Sequence, residues 1–214
     1  CCLFLAASST VAIAQTNVVD LVNPIIGTNG MGHTFPGACV PFGLVQLSPD
    51  TDTIPHNVDG KYQPRSYEYC AGYQHKDSSI VGFSHTHFSG TGHSDLGDIL
   101  IMPTTGTLKL NPGTATNPDG GYRSRFSHGT EISRPGYYEV MLADYGVKAQ
   151  LTTTQRVGIH KYTYPTNSEN QRIILDMIHG IYNYDGKVLW TNIRVENDTL
   201  VTGYRITNGW ARTN

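Results

Sequence analysis

The sequence predicts an all-β protein, a large antiparallel sandwich of two sheets. Three observations lead to this class. Short apolar or alternating runs recur between turn residues from Gly43 onward, 23 of the 214 residues are glycine, and no segment sustains a 3.6-residue apolar period for more than a short helix. Many short strands at such spacing are typical of two packed antiparallel sheets. No internal repeat or low-complexity linker divides the chain.

The predicted strands follow one another in chain order between glycine, proline, asparagine and aspartate turns. The clearest is 145–153, where Val147, Ala149 and Leu151 alternate with polar neighbours, as in a strand with one buried face. A short helix over 18–23 is the strongest helical candidate. The full set of strands is 43–48, 79–84, 98–103, 105–110, 121–128, 136–143, 145–153, 156–165, 171–177, 187–197 and 199–206.

The predicted strand 156–165 changes its apolar phase. Apolar side chains stand at Val157 and Ile159 and then at Tyr162, which places them on opposite faces of a regular strand. A strand that keeps one face buried corrects such a shift with an extra residue, so we predict a bulge or twist near 160–161.

Composition excludes several classes of partner. Charged residues are 15% of the chain and the net charge is -2, so no long-range field attracts nucleic acid or an anionic membrane. The expected partner is neutral, and 13 tyrosines and two tryptophans suit a protein that handles sugars. The chain has no phosphate-binding loop, no dinucleotide-binding fingerprint and no nucleophile elbow.

The first residues indicate export. An apolar run ends at Ala12-Ile13-Ala14, a small-x-small pattern typical of signal-peptidase sites, so residues 1–14 are predicted to be part of a signal peptide cleaved before Gln15. The run is shorter than the roughly 20 apolar residues of a transmembrane helix. With neither methionine nor basic leader before it, we expect the start to be truncated. Cys39 and Cys70 could then pair or remain buried free thiols, and buried free thiols are favoured.

The stretch GFSHTHFSGTGHSDLGD, residues 82–98, is the densest polar segment. His85 and His87 are two apart, which on a strand would place both imidazoles on one face and allow them to bind zinc, with His93 as a third ligand. Two alternatives remain: histidines hydrogen-bonded to loop backbone, and a ligand-binding rim that donates to hydroxyls. The rim is the favoured interpretation.

Two carboxylates in the same stretch raise the question of acid–base catalysis. Asp95 and Asp98 lie three residues apart, in a glycine-rich turn and at the start of a strand. A glycosidase needs its two carboxyls on either side of the scissile bond, so turn capping is the favoured role for both.

Two further stretches share this character. NGMGHTFPGACVPFG, residues 29–43, places His33 and Thr34 between glycines that let a backbone approach a ligand closely. YEYCAGYQHKD, residues 67–77, offers tyrosines as a platform for a sugar, with ordinary strand tyrosines as the alternative.

Four stretches together carry a family resemblance. They are VNPIIGTNGMGHTFPGACVPFGLVQLSPDT, YCAGYQHKDSSIVGFSHTHFSGTGHSDLGDILIMP, YRSRFSHGTEISRPGYYEV and VENDTLVTGYRITNGWART. In this order they resemble the N-terminal domain of the calcium-dependent exo-α-mannosidases of glycoside hydrolase family 92. The resemblance extends from about Asp20 to the last residue.

The resemblance implies a two-domain enzyme with its active site between the domains. Residues 15–214 would form the N-terminal β-sandwich, and a catalytic (α/α)6 barrel, absent from this chain, would follow. Such enzymes hydrolyse terminal α-mannosyl residues of glycans, N-glycans among them, with inversion. Calcium contacts the sugar, and a glutamic acid and an aspartate base lie in the barrel. This chain alone would then hold no catalytic residue, be inactive and expose an apolar interdomain face.

The resemblance also implies which residues face the mannose-binding cleft. They lie in loops 32–37 and 84–93 and in segment 67–73, and Tyr67 and Tyr69 stand where many family members have tryptophans, which leaves the linkage preference open. The implied substrate-binding residues are His33, Thr34, Tyr69, Cys70, Gly72, Ser84, His85, His87, Gly90, Gly92 and His93.

Two other functions compete with the enzyme domain. A stand-alone sugar-binding sandwich would bind mannose without a barrel. A histidine-ligated zinc enzyme would retain one equivalent of metal after dialysis.

Overall fold

Two antiparallel sheets form the body of the protein in a computed structural model, which describes residues 17–52, 54–90, 96–183 and 186–209. The first sheet has the order β1 (Ala38–Cys39), β2 (Gln46–Asp50), β7 (Gly82–Ser84), β8 (Leu100–Thr104) and β14 (Arg172–Asp176). The second has the order β10 (Ile132–Arg134), β11 (Tyr137–Leu142), β12 (Val147–Thr153) and β13 (Gly158–Thr163). The predicted all-β class is confirmed. The predicted signal peptide and Gly92, His93 and Asp95 lie outside the described residues.

Short strand pairs and 3-10 helices complete the described part of the chain. The pairs are β3 (Ile54–Pro55) with β15 (Tyr182–Asn183), which is parallel, and, all antiparallel, β4 (Asn57–Val58) with β5 (Lys61–Tyr62), β6 (Ser79–Ile80) with β9 (Ser124–Arg125), and β16 (Val188–Asn197) with β17 (Leu200–Thr207). The helices are Val18–Leu21, Pro64–Tyr69, Pro118–Gly120 and His128–Thr130. Within the described ranges, no helix has both the length and the apolar character needed to cross a membrane.

The core lies between the two sheets. Strand β12 buries Val147, Ala149 and Leu151 while its polar residues alternate outward, as its sequence predicts. Leu47 and Phe83 of the first sheet belong to the same buried cluster. Burial of such side chains contributes about 1.5–3 kcal/mol each, so this shared core holds the two sheets together.

Two of the predicted strands are wrong or much shorter. Residues 105–110 form no strand, and Leu108 and Leu110 are exposed. Their alternation has no neighbouring strand to pair with, and propensity without a partner does not make a strand. Of 121–128, only Ser124–Arg125 is extended. The helix candidate at 18–23 is a single 3-10 turn, Val18–Leu21.

The bulge predicted at 160–161 is also wrong. Strand β13 pairs with β12 in unbroken register from Gly158 to Thr163. Its inner face carries His160 and Tyr162, and Ile159 points outward and is 46% exposed. The apparent phase shift arises because a histidine with hydrogen-bond partners takes the inner position that the pattern assigns to an apolar residue.

The hairpin of β16 and β17 pairs with a strand of neither sheet. Nearly all its residues are exposed, and Val195 and Val201 lie opposite one another in its register. A two-stranded hairpin is marginal alone, and an apolar one without a cover is a surface for association. Its exposed large apolar side chains are Leu189, Trp190, Ile193, Val195, Leu200, Val201, Tyr204 and Ile206.

Candidate functional site

Three segments singled out in the sequence converge in the structure. The Gly90 backbone N–H donates to the His33 carbonyl at 2.8 Å, which joins the two histidine-bearing loops. The Cys70 thiol lies 3.9 Å from the Gly90 carbonyl, and the His33 ring meets Tyr67 edge-on with 4.6 Å between ring centroids. Residues 29–43, 67–77 and the described part of 82–98 therefore form one continuous surface, which we call the wall.

The loop around His33 is held in a restricted conformation. His33 has a φ of +52°, in the left-handed region that few non-glycine residues adopt. Its ring is buried, and its Nε2 has no hydrogen-bond partner among the described residues. Thr34 is fixed by its hydroxyl, which donates to the Ile26 carbonyl at 2.8 Å. An unpartnered buried imidazole nitrogen at a strained position is a candidate ligand contact.

A groove of about 580 Å³ borders this wall. Phe35, Gln46 and Ser89 line it on the side of the histidine loops, and Arg134 and Gly136 line it on the side of the second sheet. The described part of the wall thus presents a concave surface large enough for a sugar.

A buried carboxylate organises the interior side of the wall. Asp50 accepts hydrogen bonds from His87 Nε2 at 2.7 Å, His179 Nε2 at 2.6 Å and the Ser84 hydroxyl at 2.7 Å. All four side chains are buried. Burial raises the pKa of the Asp50 carboxyl, but the charge of His87 and the hydrogen bonds from His179 and His87 outweigh burial, and the pKa lies well below its usual value.

The hydrogen-bond partners of His87 determine its charge. Its Nε2 faces the Asp50 carboxylate, and its Nδ1 lies 2.8 Å from the Gln46 carbonyl oxygen. Both partners only accept hydrogen bonds, so both ring nitrogens must carry a proton and His87 is an imidazolium. The wall is therefore anchored by a buried His87–Asp50 ion pair, with His179 and Ser84 as additional donors.

Gly72 allows this network to close. Its φ is +80°, and a Cβ at this position would overlap the Asp50 carboxylate and lie 3.0 Å from His87 Nε2. The backbone therefore approaches the ion pair more closely than any other residue type would allow. Gly72, a predicted site residue, must be glycine because any side chain at this position would overlap Asp50.

His85 and His87 diverge instead of sharing one face. Strand β7 ends at Ser84, so the two-residue spacing no longer places their rings together. His85 Nδ1 lies 2.7 Å from the Ile99 carbonyl oxygen, and its Nε2 lies 3.0 Å from His160 Nε2. The two histidines therefore belong to separate networks, and the described part of the loop contains no three-ligand metal group.

The His85–His160 pair is neutral by the same hydrogen-bond logic. His85 donates through Nδ1 to the Ile99 carbonyl, so its Nε2 accepts from His160 Nε2–H, and the Tyr162 hydroxyl donates to His160 Nδ1 at 2.7 Å. Burial lowers the pKa of His85, and burial together with the neighbouring His85 lowers the pKa of His160 to about 3. This chain links the loop to the inner face of β13.

Segment 67–73 carries buried side chains. Tyr69 is 2% exposed, its hydroxyl donates to Asp77 at 3.1 Å, and burial together with Asp77 raises its pKa. The adjoining Gln74 binds both the N–H and the carbonyl of Gly30, at 2.8 and 3.0 Å. In the described chain Tyr69 is therefore enclosed by protein and does not present its ring to solvent.

The carboxylates near the wall are occupied by protein donors. Asp98 accepts from the Thr86 hydroxyl at 2.9 Å and pairs with Arg205 of β17, and its N–H donates to Thr86 Oγ1 at 2.9 Å. Its side chain therefore ties the loop to the hairpin, and its predicted role as a turn cap stays a prediction. Calcium needs six to eight oxygen ligands, whereas protein donors already engage both carboxylates that bond to the described histidine loop, Asp50 and Asp98. The described site residues do not fit a calcium ion.

The two described cysteines form no disulfide with each other, and Cys39 is exposed whereas Cys70 is buried. The favoured prediction of buried thiols that do not pair with each other holds for Cys70, whereas Cys39 is exposed. Although the residue is exposed, partial desolvation of its sulfur raises the pKa of the Cys39 thiol, which disfavours its reactive thiolate form.

Sequence reasoning missed three residues of these networks, Asp50, His160 and His179. Each follows or lies within an apolar strand and is distant in sequence from the histidine loop. One feature of the sequence could have identified them: each is a titratable residue within or directly beside a run whose apolar pattern predicts burial.

Comparisons with known proteins bear on the family and the fold. The family model for the glycosyl hydrolase family 92 N-terminal domain matches residues 21–214. The solved family GH92 α-mannosidase BT3965 from Bacteroides thetaiotaomicron, in complex with mannoimidazole, is 46% identical over 90% of this chain, with a TM-score of 0.79. The inverting mannosidase BT2199 from the same species is 26% identical over 92% of the chain, with a TM-score of 0.62.

A curated relative and the extent of coverage complete the comparison. A protein of Arthroderma benhamiae described as an uncharacterized secreted glycosidase is 28% identical over 170 residues, or 75% of this chain. The chain spans 19% of the length of that protein, 23% of BT3965 and 24% of BT2199.

Proposed function

The chain belongs to glycosyl hydrolase family 92, as its N-terminal domain, and from this membership we propose that it forms the substrate-cleft wall of a secreted exo-α-mannosidase. The enzyme would remove terminal α-mannosyl residues from glycans with inversion. The observation that carries the proposal is the 46% identity and shared fold with an α-mannosidase described in complex with mannoimidazole.

Two further observations support the finer parts of the proposal. BT2199 is described as an inverting mannosidase, which supports inversion here. The Arthroderma protein is described as secreted, which supports export, together with the predicted signal peptide at residues 1–14.

The predicted binding residues divide by exposure. Ser84, His87 and Cys70 are buried, so we assign them and Gly72 to holding the wall in shape. Thr34 and Gly90 are at least partly exposed, and we assign these to contact with mannose hydroxyls, together with His33, whose buried Nε2 has no partner among the described residues. Both ring nitrogens of His85 are bonded to protein, so we assign His85 to holding the wall in shape. Gly92 and His93 keep their predicted role as part of the same loop.

Catalysis would require groups from elsewhere in the full-length protein. An inverting glycosidase places its acid and base about 6.5–9.5 Å apart with room for water between them. Asp50 is enclosed and paired, and Asp98 is held by Thr86 and Arg205, so neither is free to transfer a proton to substrate. We assign the acid, the base and most calcium ligands to a further domain.

The test compares the full-length gene product with this chain alone. Each is assayed for mannose release from α-linked mannobiose, once with calcium and once with chelator. We expect calcium-dependent release by the full-length protein and none by the 214-residue chain. Release by the chain alone, or release unaffected by chelator, would contradict the proposal.

The same experiment separates the competing function. Mannose binding is measured calorimetrically on the chain alone. An inactive full-length protein together with mannose affinity of the chain would identify a sugar-binding module instead of an enzyme domain. In an active enzyme, His33→Ala should lower kcat/KM roughly tenfold, the value of one lost hydrogen bond at the upper end of its range. The matched control is His56→Ala, at a histidine outside the wall whose ring contacts Tyr62, and it should leave kcat/KM unchanged.

A further inference from the structure

A second histidine cluster lies outside the wall. His75, His128 and Glu131 each offer one ligand atom, and these atoms all lie within 4.8 Å of one another. The two imidazole rings are 3.9 Å apart between centroids and tilted by 32°, and His128 Nδ1 lies 2.8 Å from the Glu131 carboxylate. We propose that these three residues bind a transition-metal cation of the zinc type.

The Glu131 carboxylate is positioned as a metal ligand would be. The buried Tyr138 hydroxyl donates to its Oε1 at 2.6 Å, and the Tyr73 hydroxyl lies 2.9 and 3.0 Å from its two oxygens. Such hydrogen bonds fix the orientation of metal-binding side chains and are typical of the layer around the ligands. Oε2 also lies 2.8 Å from His128 Nδ1, so the tyrosines hold the carboxylate against the histidine.

The charge of Glu131 also favours a cation. Its side chain is 4% exposed, and the His128 imidazole, at 2.8 Å, is its one ion-pair partner among the described residues. That imidazole is positive only when protonated, and a buried carboxylate is costly without a positive partner. A divalent cation held jointly with His75 and His128 would supply positive charge with both imidazoles neutral.

The donor set selects the class of metal. Two imidazoles and one carboxylate match zinc and related ions, whereas calcium and magnesium prefer oxygen ligands alone. His128 is 38% exposed at its side chain, which leaves a fourth position open to water. Three protein ligands and one water complete a tetrahedral site.

The cation would join two parts of the fold. His75 follows Gln74, which binds Gly30, and the His75 N–H donates to the Thr28 carbonyl at 2.8 Å. His128 begins the 3-10 helix His128–Thr130, and Glu131 precedes β10. Bound metal would therefore tie the loop that carries Gln74 to the second sheet and stabilise both.

The test is a zinc titration of the untagged, chelator-treated chain by calorimetry, with cobalt absorption as a second readout. We expect one equivalent of zinc, the intense visible bands of tetrahedral cobalt and a higher unfolding temperature with zinc. His128→Ala, an exposed change that should not prevent folding, removes a ligand and should abolish the cobalt bands. Tyr138→Phe should weaken zinc binding about 10–100-fold.

Several results would overturn the proposal. The control His56→Ala must retain the wild-type affinity, and circular dichroism must show each variant folded. Zinc affinity unchanged in folded His128→Ala, loss of binding in the His56 control, or no zinc bound by the folded wild-type chain would each refute the site. Binding that survives His128→Ala and disappears on Cys39→Ser would assign the metal to the exposed thiol and also refute it.

Discussion

Replacement of Asp50 by asparagine tests the ion pair that anchors the wall. Asparagine has nearly the same shape, so the change removes the negative charge and one acceptor oxygen without creating a cavity. The amide nitrogen introduced at position 50 would then face either His87 Nε2–H or His179 Nε2–H, two donors that now lie 2.7 and 2.6 Å from the carboxylate. His87 would also lose its counter-charge while buried.

The expected loss is large. Removing one partner of a buried, hydrogen-bonded ion pair typically costs about 3–5 kcal/mol, because the remaining charge stays buried without compensation. For a chain of this length each kcal/mol corresponds to about 2–4 °C, so the unfolding temperature should fall by roughly 6–20 °C.

The assay is denaturant and thermal unfolding followed by circular dichroism. The matched control is Asp119→Asn, which removes a carboxylate that pairs with Arg125 in solvent and should leave the unfolding midpoint close to wild type. In a double-mutant cycle, His87→Gln should cost less in the Asp50→Asn background than alone, because the two residues are in contact. Equal midpoints for Asp50→Asn and Asp119→Asn would refute the reasoning.

Acid should remove the difference between wild type and Asp50→Asn. The pKa of Asp50 is lower in the folded state than in the unfolded chain, so its stabilisation is complete above about pH 4 and is lost as the pH falls through the lowered folded value. The two unfolding free energies should therefore converge below about pH 4. A difference that stays constant down to about pH 2 would show that the carboxylate charge is not what stabilises the fold.

Three further outcomes are expected. Gly72→Ala should lower the free energy of unfolding in urea by about 1–3 kcal/mol more than Gly60→Ala does. Both glycines have a positive φ, but only Gly72 also lacks space for a methyl group. Equal losses for the two variants would contradict the packing argument. His160 has a folded pKa of about 3 against an unfolded value of about 6.5, so its stabilisation is complete above about pH 6.5 and is lost as the pH falls towards 3. Nitrogen NMR should find its imidazole neutral at about pH 5, and a charged ring there would refute the assignment. Val195→Lys with Val201→Glu should reduce self-association of the chain measured by light scattering, and unchanged association would show that the hairpin is not the contact surface.

Alternation along single strands was sufficient to predict the fold class. Val147, Ala149 and Leu151 are buried as their pattern indicates, because period-2 burial follows from strand geometry alone. The pattern was wrong at 105–110, where alternation exists without a partner strand, and at 160–161, where a polar side chain occupies an inner position. Both errors arise because pairing and hydrogen bonding across strands are not local properties.

The candidate site was predictable only in part. Glycine-rich histidine loops marked His33 and Gly90, and the structure joins them by a backbone hydrogen bond at 2.8 Å. The spacing of His85 and His87 suggested a shared metal, but the end of β7 at Ser84 directs them to different partners. Residues two apart share one face only while both belong to a regular strand.

By itself, the sequence determined the all-β class, the positions of most strands, the family and the loops that form the wall. Only the tertiary structure decided that His87 and His179 both bond to Asp50, and that His87 carries a charge while His160 does not. It also decided that the ligand atoms of His75, His128 and Glu131 lie within 4.8 Å of one another. Strand periodicity is set by neighbours along the chain, whereas protonation and ligand geometry depend on atoms brought together from distant segments.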